Sequence, residues 1–278
     1  MPGPLTEDEL TAEVVARLET TPDPRLRGII QAAVRHLHAF TREVGLTETE
    51  WLAGVGFLTA VGRMCDDRRQ EFILLSDTLG LSSLVDIVAH GADEHATEST
   101  ILGPFYVPGS PWRESGDTIA ESDDTGAPTL VTGAVRSLDG TSLGGAVLDV
   151  WQTASNGLYA VQDDAQPDGN MRGRFRADGD GRYAFRTVRP VSYSVPDDGP
   201  VGRLLRACGR HPWRAAHIHA IVSAEGHRSV TTHIFDRENA YLESDTVFGV
   251  KDSLIEDFVP QADGSYLVQH DFVLRPAD

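Results

Sequence analysis

The hydrophobic pattern of the chain changes once, near residue 98, and this change limits the folds that are available to it. Before that point, apolar residues recur every three or four positions, as in helices that bury one face. After it, short apolar runs alternate with turn dipeptides such as Asp139-Gly140 and Asp180-Gly181. The pattern predicts an α+β protein with a helical N-terminal domain, residues 1–98, and an all-β sandwich domain, residues 99–278.

The helical part carries its own start and stop signals. Thr6 with Glu9, and Thr47 with Glu50, have the spacing of capping boxes, so each pair predicts the start of a helix. Gly45 is placed to end the helix that lies between them. We therefore expect at least three amphipathic helices in this part.

The second part reads as a series of short strands. The strand-like runs are 130–135, 146–151, 182–188, 216–222, 230–235 and 266–274. Short strands at this spacing, joined by turns, are typical of two packed sheets.

Charge and composition narrow the functional classes. The formal net charge of −18 argues against nucleic acid or an anionic membrane surface as the main partner. Cys65 and Cys208 are the two cysteines, so neither a disulfide framework nor a thiolate zinc site is indicated. No apolar run approaches about 18 residues, and no basic segment precedes an apolar run at the N-terminus. We expect a cytoplasmic protein without a signal peptide.

Two histidines stand one residue apart in a predicted strand. His217 and His219 would point to the same face, because side chains alternate along a strand. Histidine is the commonest metal ligand among side chains, and a rigid strand would hold the two nitrogens at a fixed separation. The pair alone fits either a metal site or the polar face of a surface strand.

Two tyrosines occur in unusual settings in the same domain. Tyr159 follows Gly157-Leu158 at the end of a predicted strand, and Tyr193 precedes a Pro-rich loop. A free phenol has a pKa of about 10, so a tyrosinate at neutral pH needs a strong Lewis acid beside it. Iron(III) meets this demand better than zinc does. Spacing alone favours a core residue of the sandwich for each tyrosine.

Four short motifs follow one another in a fixed order. They are WQ at 151–152 with GLY at 157–159, RP at 189–190 with Tyr193, DGP at 198–200 and RAAHIH at 214–219. In this order they resemble the intradiol ring-cleavage dioxygenases, the nonhaem ferric enzymes that open catechols. The helical N-terminal part also resembles the dimerising helical part of that family's catechol branch.

The resemblance implies a ferric site and a reaction. Tyr159 and His217 match the equatorial ligands, and Tyr193 and His219 match the axial pair. A catechol-type substrate would bind through two adjacent oxygens and displace Tyr193, which can then accept a substrate proton. Dioxygen would be inserted between the two hydroxylated carbons. Arg214 matches the family arginine whose charge stabilises a developing carbanion, although an arginine here could also pair with a surface carboxylate.

One position departs from the family pattern. Many catechol enzymes carry Gln after a Thr-Thr pair, whereas this chain has His233 there. His233 could donate a hydrogen bond beside the metal site, or it could tune the choice of substrate. The departure puts a plain catechol enzyme in doubt.

Three segments, 74–80, 98–105 and 209–214, look most similar to the hydroxyquinol branch of that family. The resemblance implies that Asp77 faces the ring and bonds a third hydroxyl that catechol lacks. A helix cap or a surface carboxylate is the alternative for Asp77. The apolar remainder of the pocket would be lined by Leu74, Ile101, Leu102, Gly103 and Phe105.

The resemblance therefore implies an Fe(III) dioxygenase that acts on a small aromatic diol or triol, namely hydroxyquinol (benzene-1,2,4-triol). It would open the ring with O2 between the adjacent hydroxylated carbons to give 3-hydroxy-cis,cis-muconate, which tautomerises to maleylacetate. The resemblance further implies a homodimer formed through the N-terminal helices, which can hold a lipid between subunits. Catechol or chlorocatechol is the alternative substrate. A β-sandwich that binds a ligand or a structural zinc ion, without chemistry, is the alternative from another class.

Overall fold

The computed structural model describes residues 5–66, 69–91, 95–121 and 124–277. Two compact units divide the chain, Met1–Thr59 and Ala60–Asp278. The expected domain boundary near residue 98 falls inside the second of these units.

The helices begin and end where local signals placed them. Thr6 and Glu9 form their capping box. In the second box, the Thr47 hydroxyl accepts from the Glu50 N–H, and the Glu50 carboxylate accepts from the Thr47 N–H. Gly45 ends the second helix with φ of +58°, a conformation that favours glycine. The described helices are α1 (Glu7–Arg17), α2 (Pro24–Val44), α3 (Glu48–Arg63), α4 (Glu71–Thr78), α5 (Leu81–His90) and α6 (Pro200–Ala207).

Among these described helices, none alone is long and apolar enough to cross a membrane. The helices α4 and α5 reach that composition only as a pair, bent by 75°.

All six predicted runs form strands, and the last one is divided in two. The described strands are β1 (Pro128–Ser137), β2 (Val147–Trp151), β3 (Arg172–Arg176), β4 (Arg182–Val188), β5 (Tyr193–Ser194), β6 (Trp213–Arg214), β7 (His217–Ser223), β8 (Val230–Asp236), β9 (Ile255–Glu256), β10 (Val259–Pro260), β11 (Tyr266–Gln269) and β12 (Phe272–Leu274). The run 266–274 breaks at His270 and Asp271, where the His270 carbonyl accepts from the Tyr183 hydroxyl and the Asp271 carboxylate accepts from the Ala134 N–H.

The strands form two five-stranded sheets and a short ribbon. One sheet has the order β3-β2-β7-β8-β9, and the other has the order β10-β11-β1-β12 with β4 paired to β1. Strand β1 runs parallel to β11 and β12 but antiparallel to β4, so this sheet is mixed. The ribbon joins β5 to β6.

The main core lies between the two sheets. On β7, Ile218, Ala220 and Val222 belong to this core, and Val131 and Phe185 reach it from the facing sheet. Side chains alternate along a strand, so His217 and His219 lie on the opposite face of β7. The predicted α+β class with a sandwich is confirmed, and the sandwich leaves the outer face of one sheet to carry the histidines.

Candidate active site

Three neighbouring strands place aromatic rings in one row. Trp151 on β2 pairs with His219 on β7, and His219 pairs with His233 on β8. The Trp151 ring stacks on the His219 ring, with centroids 4.5 Å apart. Two residues before His219 on β7, His217 pairs with Phe235 on β8. The sheet therefore fixes the direction of every histidine in the cluster.

The two tyrosines come from outside this sheet. Tyr193 lies on the ribbon, where it pairs with Arg214. Tyr159 follows Gly157, which has φ of +79° and whose Cβ would lie 3.5 Å from the Cβ of Tyr193. The close passage of the two backbones brings both phenols to the face of the sheet that carries the histidines.

Four side-chain donors from the predicted ligand set lie side by side. The Oη atom of Tyr159 is 3.1 Å from that of Tyr193 and 3.0 Å from Nε2 of His219. Nε2 of His219 is in turn 3.0 Å from Nε2 of His217. Two adjacent ligands bound to one ion at about 2.0–2.1 Å lie roughly 3 Å apart. The spacing of the donors therefore suits a single metal ion.

The protonation of these groups also suits a cation. Burial lowers the pKa of His217, His219 and His233 well below the usual value, so all three imidazoles are neutral. The Ala215 carbonyl lies 2.6 Å from Nδ1 of His217 and accepts a hydrogen bond from its N–H, which leaves a lone pair on Nε2. Burial also raises the pKa of Tyr159 well above 10, so its ionisation requires a nearby positive ion.

His233 lies against the histidine pair. Its ring centroid is 4.2 Å from that of His219, and the ring nitrogens of His217, His219 and His233 form a group that could hold a metal ion. Its Nδ1 makes a hydrogen bond with Oγ1 of Thr100. Its Nε2 has no hydrogen-bond partner within the part of the chain that the structure describes.

Arg214 points a buried positive charge at this cluster. Its Nη1 lies 3.3 Å from Oη of Tyr193 and 3.2 Å from Nε2 of His217. Its carboxylate partner is Asp245, at 3.2 Å from Nε, and both side chains are buried. The partner is thus not a surface carboxylate. Sequence reasoning missed Asp245, because it stands 31 residues after Arg214 and no local pattern marks it.

A small cavity adjoins Tyr193 and Arg214. It measures about 10 Å³, roughly the space of one water molecule, so an aromatic ring would enter only if side chains move outward. Leu102 is absent from its lining and is 41% exposed. The predicted pocket residues that do line it are Leu74, Asp77, Ile101, Gly103 and Phe105.

A wider cleft of about 370 Å³ shares part of this wall. Leu74, Pro104, Phe105, Val195 and Pro196 border both spaces. The cleft and the small cavity therefore adjoin each other across this wall.

Asp77 lies inside α4 and its carboxyl group is buried. Burial raises the pKa of this carboxyl above 3.8, while the Ser82 hydroxyl and the Arg214 charge oppose that effect. The aromatic ring of Phe105 stacks on Tyr159, with centroids 4.7 Å apart. The cavity wall therefore combines one carboxyl group with apolar and aromatic surface, which is typical of a small-molecule site.

Comparison with known families identifies this arrangement. A family model described as "Catechol dioxygenase N terminus" matches residues 23–97, and one described as "Dioxygenase" matches residues 101–276. The chain belongs to the intradiol dioxygenase family. This match confirms the resemblance drawn from the ordered motifs. The chain is therefore an enzyme, a dioxygenase.

Individual relatives of this dioxygenase match it over nearly the full length. A 6-chlorohydroxyquinol 1,2-dioxygenase from Cupriavidus pinatubonensis is 49% identical, covering 97% of this chain and 98% of the relative. A hydroxyquinol 1,2-dioxygenase from Rhizobium sp. is 46% identical, covering 98% and 96%. The crystal structure of a hydroxyquinol 1,2-dioxygenase from Pseudomonas putida is 47% identical, with a TM-score of 0.91 over 98% of this chain and 99% of that one.

Proposed function

We propose that this dioxygenase opens hydroxyquinol, benzene-1,2,4-triol, with O2 between its adjacent hydroxylated carbons. The product would be 3-hydroxy-cis,cis-muconate, which tautomerises to maleylacetate. The observation that carries the choice of substrate is the buried carboxyl group of Asp77 in the cavity wall beside Arg214. A site built to bond a hydroxyl rejects the analogue that lacks it, since its own polar group is left unpaired. Relatives that are 46% and 49% identical carry hydroxyquinol names, which supports the same choice.

The proposal includes a ferric ion held by Tyr159, Tyr193, His217 and His219. The 3.0–3.1 Å separations between their donor atoms support this set. Two phenols favour a hard trivalent ion over zinc. When bound, the ion would supply the Lewis acidity that ionises phenols and the adjacent substrate hydroxyls.

The protein groups around the ion would orient the substrate and move its protons. Tyr193 borders the cavity, so in its phenolate form it would be able to take a proton from a substrate hydroxyl. Arg214 brings a fixed positive charge to the same wall, where it can stabilise negative charge that develops on the ring. Ile101 and Phe105 pack the ring and exclude water.

His233 is proposed to act beside the ligands. Thr100 makes a hydrogen bond with its Nδ1, the ring centroid lies 4.6 Å from that of His217, and Nε2 has no hydrogen-bond partner among the described residues. From there it can donate a hydrogen bond to a bound oxygen atom or to a metal ligand. Replacing His233 with Gln, as in many catechol enzymes, should change the preference between hydroxyquinol and catechol if it tunes the substrate.

Initial rates on hydroxyquinol, catechol and chlorocatechol test the substrate. The expected result is a clear preference for hydroxyquinol, measured as kcat/KM at one O2 concentration. A strong preference for catechol would overturn the proposal in favour of a catechol enzyme.

The colour of the purified protein tests the metal. Tyrosinate bound to iron(III) gives a visible charge-transfer band, so the protein should be reddish and should contain about one iron per chain by elemental analysis. A colourless protein that contains only zinc, and gains no activity from added iron, would instead support a structural zinc site.

We also propose that residues 1–98 join two copies of the chain and that the protein is cytoplasmic. Several large apolar side chains of α2 and α3 are about half exposed, and burial of such surface is the main driving force for association. They include Leu26, Leu37, Phe40, Trp51 and Leu52. Light scattering should give twice the chain mass if two copies associate. Mass spectrometry of an organic extract would reveal a lipid bound between them. Cell fractionation tests whether the protein is cytoplasmic.

A further inference from the structure

We infer that Asp245 is a positioning residue for ring opening, which acts by aiming the guanidinium of Arg214 at Tyr193. The inference rests on the proposed function, since it assigns a second residue to the role given there to Arg214. It extends that proposal to a residue outside the substrate cavity, since Asp245 does not line the small cavity beside Tyr193.

The two side chains make a forked contact. Oδ1 of Asp245 lies 3.2 Å from Nε of Arg214, and Oδ2 lies 3.5 Å from Nη2. The remaining nitrogen, Nη1, is the one that contacts Tyr193 and His217. Because the guanidinium is planar and rigid, a carboxylate that holds two nitrogens also fixes the direction of the third.

The carboxylate is itself held by the backbone. The N–H groups of Ala215 and Gly249 donate to Oδ1 and Oδ2 of Asp245, at 3.3 Å and 2.9 Å. Between Asp245 and Gly249 in the sequence, Phe248 has φ of +58°, an uncommon conformation for a residue with a side chain. This turn brings the Gly249 N–H back to Asp245. Each carboxylate oxygen thus binds one backbone N–H and one guanidinium nitrogen, so the carboxylate has little freedom to rotate.

The position of Gly249 is a second observation that supports a fixed guanidinium. A Cβ at this position would lie 2.9 Å from Nη2 of Arg214 and 3.3 Å from Oδ2 of Asp245. Its φ is not positive, so the close approach to the ion pair is what makes a side chain unfavourable there. A side chain at residue 249 would therefore displace the guanidinium from this position.

Steady-state kinetics on the iron-loaded enzyme test the role. Asp245→Asn keeps the shape but removes the charge, and Gly249→Ala keeps every charge but displaces the guanidinium. Misplacement by about 1 Å costs about 10²-fold in rate, so both variants should lose about that factor in kcat with KM changed less than about threefold. Gly179→Ala is the matched control, because its Cβ meets nothing within 4 Å.

A double-mutant cycle separates positioning from general damage. If Asp245 acts through Arg214, then Asp245→Asn should cost less than about threefold further when it is added to Arg214→Gln. Additive losses, or a Gly249→Ala variant with the kcat of the Gly179→Ala control, would overturn the inference. Gly249→Ala carries the test alone if Asp245→Asn does not fold.

A readout without metal or activity keeps this inference distinct from the proposed function. In the metal-free protein, the Arg214 Nε–H resonance, assigned by its loss in Arg214→Gln, should be protected from exchange. Protection should drop in Asp245→Asn and in Gly249→Ala. Unchanged protection in both variants contradicts the inference, whereas a wild-type protein that opens no aromatic ring contradicts only the proposed function.

Discussion

Replacing Asp77 should change which substrate the enzyme prefers. Asp77 is 3% exposed and lines the cavity beside Tyr193 and Arg214. A hydrogen bond to a charged group contributes about 1.5–3 kcal/mol. At about 1.4 kcal/mol per factor of ten, Asp77→Ala should lower kcat/KM for hydroxyquinol about 10- to 100-fold. Catechol has no third hydroxyl, so its kcat/KM should change less than about threefold.

A folding control accompanies this assay. Burial raises the pKa of Asp77, so the folded protein binds this proton more tightly than the unfolded chain does. The contribution of the group to stability is therefore present at low pH and is lost as pH rises through the raised pKa. Asp77→Asn removes the buried charge and should be more stable than wild type at pH 7. The gain should shrink on acidification towards about pH 4, the ordinary value of the group.

Urea unfolding across this pH range measures the control, and initial rates at fixed O2 measure the preference. Equal loss of activity on both substrates, in a variant that is as stable as wild type, would refute the role of Asp77 in recognition. An unchanged ratio of hydroxyquinol to catechol activity would refute it as well.

Three further outcomes are expected. Tyr159→Phe should abolish or shift the visible band and lower the iron content found by elemental analysis, and an unchanged spectrum would exclude Tyr159 as a ligand. Ile218→Ala should cost about 2–5 kcal/mol in urea unfolding, because Ile218 is fully buried between the sheets; Val88→Ala, at a position that is 78% exposed, should cost less than about 0.5 kcal/mol. Removal of the metal by a chelator should lower the Tm, by an amount set by about 4 kcal/mol of binding energy at 1,000 times Kd, and a Tm that stays constant would show that the fold does not depend on the ion.

Local signals explain what the sequence could predict. The capping boxes at Thr6 and Thr47 need only four residues, and the same-face placement of His217 and His219 needs only the alternation of a strand. That both tyrosines lie beside this pair was predicted from the order of the motifs and not from a local pattern, because the two phenols belong to different parts of the fold.

Nonlocal contacts explain what it could not predict. Strands β5 and β6 have two residues each, too few for any periodicity, yet they set Tyr193 beside Arg214. Asp245 reaches Arg214 through a loop whose turn depends on Phe248, and a sequence pattern does not encode that turn. At the break after β11, the His270 carbonyl and the Asp271 carboxylate form hydrogen bonds with residues of other strands, Tyr183 and Ala134.

Strand β7 serves two environments at once, with Ile218 in the sandwich core and His217 and His219 on the other face. A single inserted residue in this strand would exchange the two sets, placing imidazoles among aliphatic side chains and aliphatic side chains among the phenols. Loss of folding and loss of chemistry would then arrive in the same step. The length of this strand is therefore constrained from both faces, by the core on one side and by the site on the other.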